Sequence, residues 1–231
     1  AHPAIVLPIT YLSKRWYSLT GLVIGSITPD FEYFIRMKVR SNHSHTLKGL
    51  FYVDLPLGLL LCFVFHCIVR NPLYQNVPIV LRRHVLLFES FDWQENFRKK
   101  WPIVVTSLMV GAASHLFWDG FTHSGGHFVQ IIPLLKNHIA VASFNVPVYK
   151  ILQHCSSLIG LCLVMFSVAK LPIKNEYKSI DYRYWLCVCV ITIITIGIRL
   201  LIRPNHIVVG DVFVTIISGS LLSIILAPFI I

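Results

Sequence analysis

Residues 49–69 read GLFYVDLPLGLLLCFVFHCIV, and this stretch decides the fold. It holds no Lys or Arg, and its one acid, Asp54, lies near the start. About 20 mainly apolar residues in a helix cross the hydrocarbon core of a bilayer, so the stretch reads as a membrane-spanning helix. Further runs of the same kind follow at 102–118, 149–169, 184–202 and 206–226. Composition agrees: 55% of the 231 residues are hydrophobic and 13% are charged, against about 25% charged in a soluble domain. Mean hydropathy is +0.70. The expected fold is all-α and polytopic, with about five spans in a single membrane domain over 1–231.

Before the first span lie two apolar segments, 1–12 and 17–27. Both are too short to cross alone, and short interfacial or re-entrant helices are expected there. Pro29 marks the start of a further short helix over 30–40. The connection 70–101 is polar and basic, and its middle, 85–97, fits an amphipathic surface helix. Residues 120–148 read as a loop rich in His, Gly and Phe, and 170–182 as a polar connection. No repeat and no second domain is evident.

The net charge of +10 comes from Lys and Arg in the connections. It reports membrane topology rather than nucleic-acid binding, because no basic and aromatic residues interleave on a soluble face. The connections 70–101 and 170–182 share one side if the spans alternate, and that side is expected to be the cytoplasm. Residues 120–148 and the turn at Pro204 then lie on the extracytoplasmic face of an inner membrane. Arg36, Lys38, Arg40 and Lys48 count against this assignment. The six cysteines lie in or beside apolar runs, none in a CxxC pair, and are expected to act as small buried hydrophobes. No positively charged n-region, apolar h-region and Ala-x-Ala site mark a signal peptide.

The segment 114–123, SHLFWDGFTH, carries the chemistry. His115, Asp119 and His123 stand at i, i+4 and i+8, drifting only about 40° per step on a helix, so they share one face. Imidazole and carboxylate are common ligands of zinc and related divalent ions, and ionisable groups near membrane depth are costly enough to be functional candidates. In the expected topology His154, His206, Asp211, Asp30, His43, His45 and Asp54 gather at the same membrane face.

Each candidate also has a plainer reading. His2, before Pro3 at a helix start, is either a ligand or a solvated terminal residue. In TPDFE at 28–32, Thr28 or Asp30 would cap the following helix, which stabilises by roughly 1 kcal/mol. His43 and His45, two apart, point to one face if the segment is extended, yet solvated loop imidazoles are common. His154 is a ligand, an acid or a polar link between helices. His66 and His84 read as structural, while His127 and His138 line the outer loop.

Taken in order, His2-Pro3-Ala4, SITPDFEYF at 26–34, SHTL at 44–47, DLPLG at 54–58 and SHLFWD at 114–119 resemble an uncharacterised bacterial integral-membrane family, a domain of unknown function, over residues 1–160. The order is also similar to membrane-bound metal-dependent hydrolases, where an early His, Pro-Asp-x-Asp, a Thr-His-Ser element and His-x-x-x-Asp follow one another. Here Glu32 stands for the second Asp, His45-Thr46 for the Thr-His element, and that group's further His falls on Arg40. More distantly it resembles zinc-dependent phospholipase C. The resemblance implies His2, Asp30, His45, His115 and Asp119 as metal ligands.

Glu32, His123 and His154 complete the candidate site as acid–base groups. Two nearby divalent ions can activate water and hold a phosphoryl oxygen. Zinc is the favoured ion, with manganese or iron as other choices. No Gly-x-Ser-x-Gly elbow and no phosphate-cradling glycine loop is present. The expected function is therefore metal-dependent hydrolysis of a phosphate ester in a lipid or envelope precursor. The alternative is a membrane subunit whose structural metal or polar cluster holds a partner protein. A transporter using Asp54 comes third, although matched broken helices are not evident.

Overall fold

The computed structural model describes residues 2–141, 143–174, 179–202 and 208–231, residue 141 by its backbone alone. His206 and Pro204 lie outside the described residues. Helices dominate the order. α1 (His2–Val6) runs into a 3-10 turn, Leu7–Tyr11. α2 (Leu19–Ile27) and the turn Thr28–Asp30 lead to α3 (Phe31–Arg36). A π turn (Leu50–Asp54), α4 (Leu55–Val64), a second π turn (Phe65–Val69) and α5 (Arg70–Asn76) form one continuous rod. α6 (Ile79–Val85), α7 (Trp93–Thr122), α8 (His127–Ile131) and α9 (Pro133–Lys136) follow. An antiparallel hairpin, β1 (His138–Val141) with β2 (Phe144–Pro147), pairs His138 with Pro147. α10 (Val148–Ala169), α11 (Tyr182–Ile202) and α12 (Val209–Leu226) close the chain.

Five helical stretches among the described residues are long and apolar enough to cross a membrane: Leu50–Asn76, Trp93–Ile131, Val148–Ala169, Tyr182–Ile202 and Val209–Phe229. The protein is a polytopic helical membrane protein, as its hydropathy requires. Two spans outrun their apolar runs. The first continues past Arg70, because that buried guanidinium donates from Nη1 to the Phe91 carbonyl (2.7 Å) and from Nη2 to the Glu89 carbonyl (3.1 Å). A charge satisfied in this way does not end a helix. The second begins at Trp93, where the Asp92 carboxylate accepts from the Glu95 backbone N–H at 2.9 Å, as an N-cap does. It bends at Lys100 (φ −131°, ψ 24°), in the turn preceding Pro102. The surface helix expected over 85–97 is therefore absent: Leu86 and Trp93 are buried, and a break separates them.

Residues 120–148 are likewise more than a loop. α7 continues through Gly120, and the chain turns back at Gly126, where an added Cβ would lie 2.8 Å from the Asp119 carbonyl oxygen. That closeness excludes any side chain there. The cysteines also depart from expectation. All are free thiols, but only Cys62 is buried, while Cys67, Cys155, Cys162 and Cys189 are exposed. A spanning helix needs apolar residues on its outward face as much as its inward one, because lipid is as apolar as a core.

The chain packs as two compact units of three segments each. The first holds Ala1–Pro29, His45–Gly58 and Trp101–Ser167. The second holds Asp30–Ser44, Leu59–Lys100 and Val168–Ile231.

In the first unit α2 lies directly on α7. A Cβ at Gly25 would meet the Leu108 backbone, and one at Gly111 would come 2.7 Å from the Ser26 nitrogen. Small residues of this kind let membrane helices approach backbone to backbone. Ser18 fastens the start of α2, donating its N–H to Ser107 Oγ at 2.8 Å. In the second unit α11 and α12 pack through Gly219 and Thr192, with Tyr184, Val188 and Ala227 in the core.

Candidate metal centre

The close approach of α2 to α7 sets the site. It carries the Ser26 carbonyl to His115, whose Nδ1 lies 2.8 Å away with the ring fully buried. A carbonyl can only accept, so Nδ1 carries the proton and Nε2 offers its lone pair. One turn later on α7, Asp119 Oδ2 stands 3.3 Å from that Nε2.

Three further imidazoles reach the same carboxylate. His45 Nε2 lies 3.4 Å from Oδ2, His2 Nε2 3.6 Å from Oδ1, and His123 Nδ1 3.4 Å from Oδ1. The His2 ring stacks on His115 with centroids 3.7 Å apart, and His45 meets His115 edge-on. Burial, with the neighbouring His115, pushes the His2 pKa down to about 3. His2 is thus a neutral imidazole at physiological pH, in the protonation state that binds metal.

The spacing is the informative quantity. Charge-assisted hydrogen bonds from nitrogen to carboxylate run about 2.7–2.9 Å. Two donors each ~2.0–2.1 Å from one tetrahedral ion stand about 3.3 Å apart. The distances from His2, His45 and His115, 3.3–3.6 Å, match the second pattern. Ligating atoms of His2, His115 and Asp119 all fall within 4.8 Å of one another. Among the described residues, His2 Nδ1 and Asp119 Oδ1 are buried without a hydrogen-bond partner. Three imidazoles and a carboxylate, with buried polar atoms left over, fit a divalent ion.

His123 differs from the other three. Its side chain is 43% exposed, so it forms the open rim of the cluster. Gln153 on α10 donates from Nε2 to His123 Nε2 at 3.3 Å. That leaves the ring proton on Nδ1, facing Asp119 Oδ1. Gln153 and the Ser26 carbonyl both went unread in the sequence. The first is one residue from the histidine that was singled out, and the second is backbone, which no side-chain pattern reveals.

The remaining candidates lie elsewhere. His154 is exposed on α10, and its neighbour Gln153 makes the contact with His123. His127 and His138 are exposed. His66 stacks on Trp93, with centroids 4.5 Å apart, and His84 Nδ1 donates to the Leu171 carbonyl, so both are structural. Asp54 is buried at the end of the first π turn.

Asp30 belongs to the second unit, where it ends the turn before α3. Neither Asp30 nor Thr28 caps α3: no side-chain cap bond forms there, and Thr28 Oγ1 donates back to the Ile24 carbonyl. In the same unit Glu32 accepts from the backbone N–H groups of Asn42 (2.9 Å), His43 (3.0 Å) and Ser44 (2.9 Å), and from Arg36 Nε (2.9 Å). Burial would raise its pKa, but these amide donors outweigh that and hold it at about 2. A carboxylate so engaged is a clamp on the 42–44 backbone, not the free acid–base group expected.

Fold and cluster together define a polytopic helical membrane protein with a buried, histidine-rich carboxylate site. The chain belongs to the family described as a domain of unknown function, DUF4184, whose model matches residues 1–229. The match takes in the last two spans, well beyond residue 160. No curated protein and no solved structure matches the chain.

Proposed function

We propose that the cluster is the metal centre of a membrane-bound hydrolase of phosphate esters, acting on a lipid or envelope precursor. The observation that carries the reading is the Asp119 carboxylate ringed by four imidazole nitrogens at 3.3–3.6 Å. His2, His45, His115 and Asp119 would hold the ion, zinc first among the choices. Asp30 stays a proposed ligand from its sequence motif. A divalent ion supplies Lewis acidity, activating water and polarising a phosphoryl oxygen.

The chain's own groups divide the remaining work. Ser26 fixes the His115 tautomer, a backbone partner of the kind that orients metal-binding imidazoles. Burial keeps His2 neutral. His123, at the exposed rim with Nε2 held by Gln153 and Nδ1 toward Asp119, is the group of the cluster best exposed for acid–base exchange with solvent. Glu32 positions the segment that leads into His45. The order of motifs, similar to that of metal-dependent hydrolases, supports the reaction class. We place the site on the extracytoplasmic face of the inner membrane, from the basic connections.

The test is metal analysis of detergent-purified protein, followed by turnover of phosphodiester and phosphomonoester panels with and without chelator. Hydrolysis that falls with chelation and returns with zinc supports the reading. Stoichiometric metal with no turnover, and loss of folding on chelation, would favour a structural metal in a subunit that holds a partner. For sidedness, Gly125→Cys and Lys174→Cys, in a background without the native cysteines, should label from outside and inside the cell respectively. A reversed pattern would move the site to the cytoplasm.

A further inference from the structure

The second unit contains a cleft of about 650 Å³ whose lining, among the described residues, holds four cations, Arg36, Lys38, Arg40 and Arg199, and no acid. Glu32 on α3 accepts from Arg36 Nε and from three backbone amides, and Asp211 accepts from the Val39 N–H, so both neighbouring carboxylates are engaged. The rest of the lining is mostly apolar, Ile35, Met37, Ile198 and Ile202, with the polar side chains of Asn42 and Thr195.

Both walls are built. One is the last two turns of α11, where Thr195, Ile198, Arg199 and Ile202 share a face by helical spacing. The other is the segment after α3. Met37 takes the left-handed conformation there (φ 50°), which a non-glycine residue adopts at a cost. The segment is pinned to α12: the buried Asp211 Oδ1 accepts from the Val39 N–H at 2.9 Å, and Ser218 Oγ donates to the Phe34 carbonyl at 2.7 Å. These contacts hold Lys38 and Arg40 across from Arg199.

The cleft lies at the C-terminal end of α11, a helix long and apolar enough to span, and the ends of spanning helices lie where lipid phosphates meet the hydrocarbon. Cations level with headgroups above apolar walls match an anionic lipid, phosphate to the guanidinium groups and acyl chain to the isoleucines. We propose that this cleft binds the headgroup phosphate of an anionic phospholipid. The inference is independent of the metal centre. It also gives a use to Arg36, Lys38 and Arg40, the residues that counted against the expected orientation.

Native mass spectrometry of the full chain in detergent tests it, with phosphatidylglycerol, phosphatidylcholine and inorganic phosphate as probes. Phosphatidylglycerol should bind roughly tenfold tighter than phosphatidylcholine. The combined K38Q, R40Q and R199Q variant should lose that preference, while the charge-keeping K38R, R40K and R199K variant retains it. Lys38→Gln alone, at an exposed position, should give a smaller loss in the same direction even if the combined variant fails to purify. Equal binding of the two lipids, or an unchanged preference in the glutamine variants, would overturn the site. Displacement of phosphatidylglycerol by equimolar inorganic phosphate would overturn the lipid and leave a soluble phosphate as the ligand.

Discussion

Two buried carboxylates, one in each unit, show what separates a structural acid from a proposed metal ligand. Glu32 faces three backbone amides and a guanidinium at 2.9–3.0 Å. Asp119 faces four imidazoles at 3.3–3.6 Å. Both are surrounded by nitrogen, but only the Glu32 distances are those of finished hydrogen bonds. Every Glu32 partner is a donor by its chemistry. The nearest partner of Asp119, His115 Nε2, is instead an acceptor, because the ring proton sits on Nδ1 and is donated to the Ser26 carbonyl. Two acceptors held face to face are stable when a cation lies between them. Burial and partner number would have ranked the two acids alike; distance and tautomer distinguish them.

The largest effect should come from removing that face-to-face pair. His115→Ala and Asp119→Ala should each weaken metal binding by more than about 100-fold, the upper range for lesser changes around such sites. Both should still reach the membrane at near-normal levels, because losing an ionisable group from a span removes an insertion cost. Cys162→Ala, on an exposed part of α10, should keep full metal. Membrane abundance and metal per chain read all three, and a variant that keeps its metal would break the comparison.

Next in size is Gly25→Val. Its side chain would enter the Leu108 backbone, push α2 off α7 and withdraw the Ser26 carbonyl from His115. Metal affinity should fall about 10- to 100-fold with every ligand intact. Unchanged affinity would mean that Ser26 does not set the tautomer. Glu32→Gln should act in the opposite sense on the two readouts. It should raise amide exchange across 42–44, while metal affinity changes only a few-fold.

The smallest effect is on pH. The Glu32 pKa lies at about 2, below its ordinary 4.5. A depressed carboxylate contributes stability above its unfolded pKa and loses it as pH falls through the folded one. Protection of the 42–44 amides should hold above pH 4.5 and fade between there and about pH 2. Fading near neutrality would show that histidines rather than Glu32 hold the segment.

These contrasts also mark how much the sequence could disclose. The spans were legible because hydropathy is a local property, and His115, Asp119 and His123 because a helix repeats its face every three to four residues. His2 and His45 were ambiguous from their own surroundings, ligand or solvated imidazole, and only the order of motifs implied them as ligands. Arg70 looked like the end of a span because its partners, the Phe91 and Glu89 carbonyls, are distant in sequence and belong to the backbone. Glu32 looked like half of a Pro-Asp-x-Asp element for the same reason: the amides that engage it carry no residue identity. The cysteines misled because apolar sequence in a membrane protein does not tell inward from outward.

The central claim is that Asp119 and its imidazoles hold a divalent ion. The most direct measurement is elemental analysis of detergent-purified protein, wild type beside Asp119→Ala, with X-ray absorption at the edge of whatever metal is found. The account predicts a divalent metal in the wild type with nitrogen and oxygen neighbours at about 2.0–2.1 Å, and its loss in the variant. A wild-type protein that, after exposure to zinc, manganese and iron, retains no more metal than Asp119→Ala would contradict it.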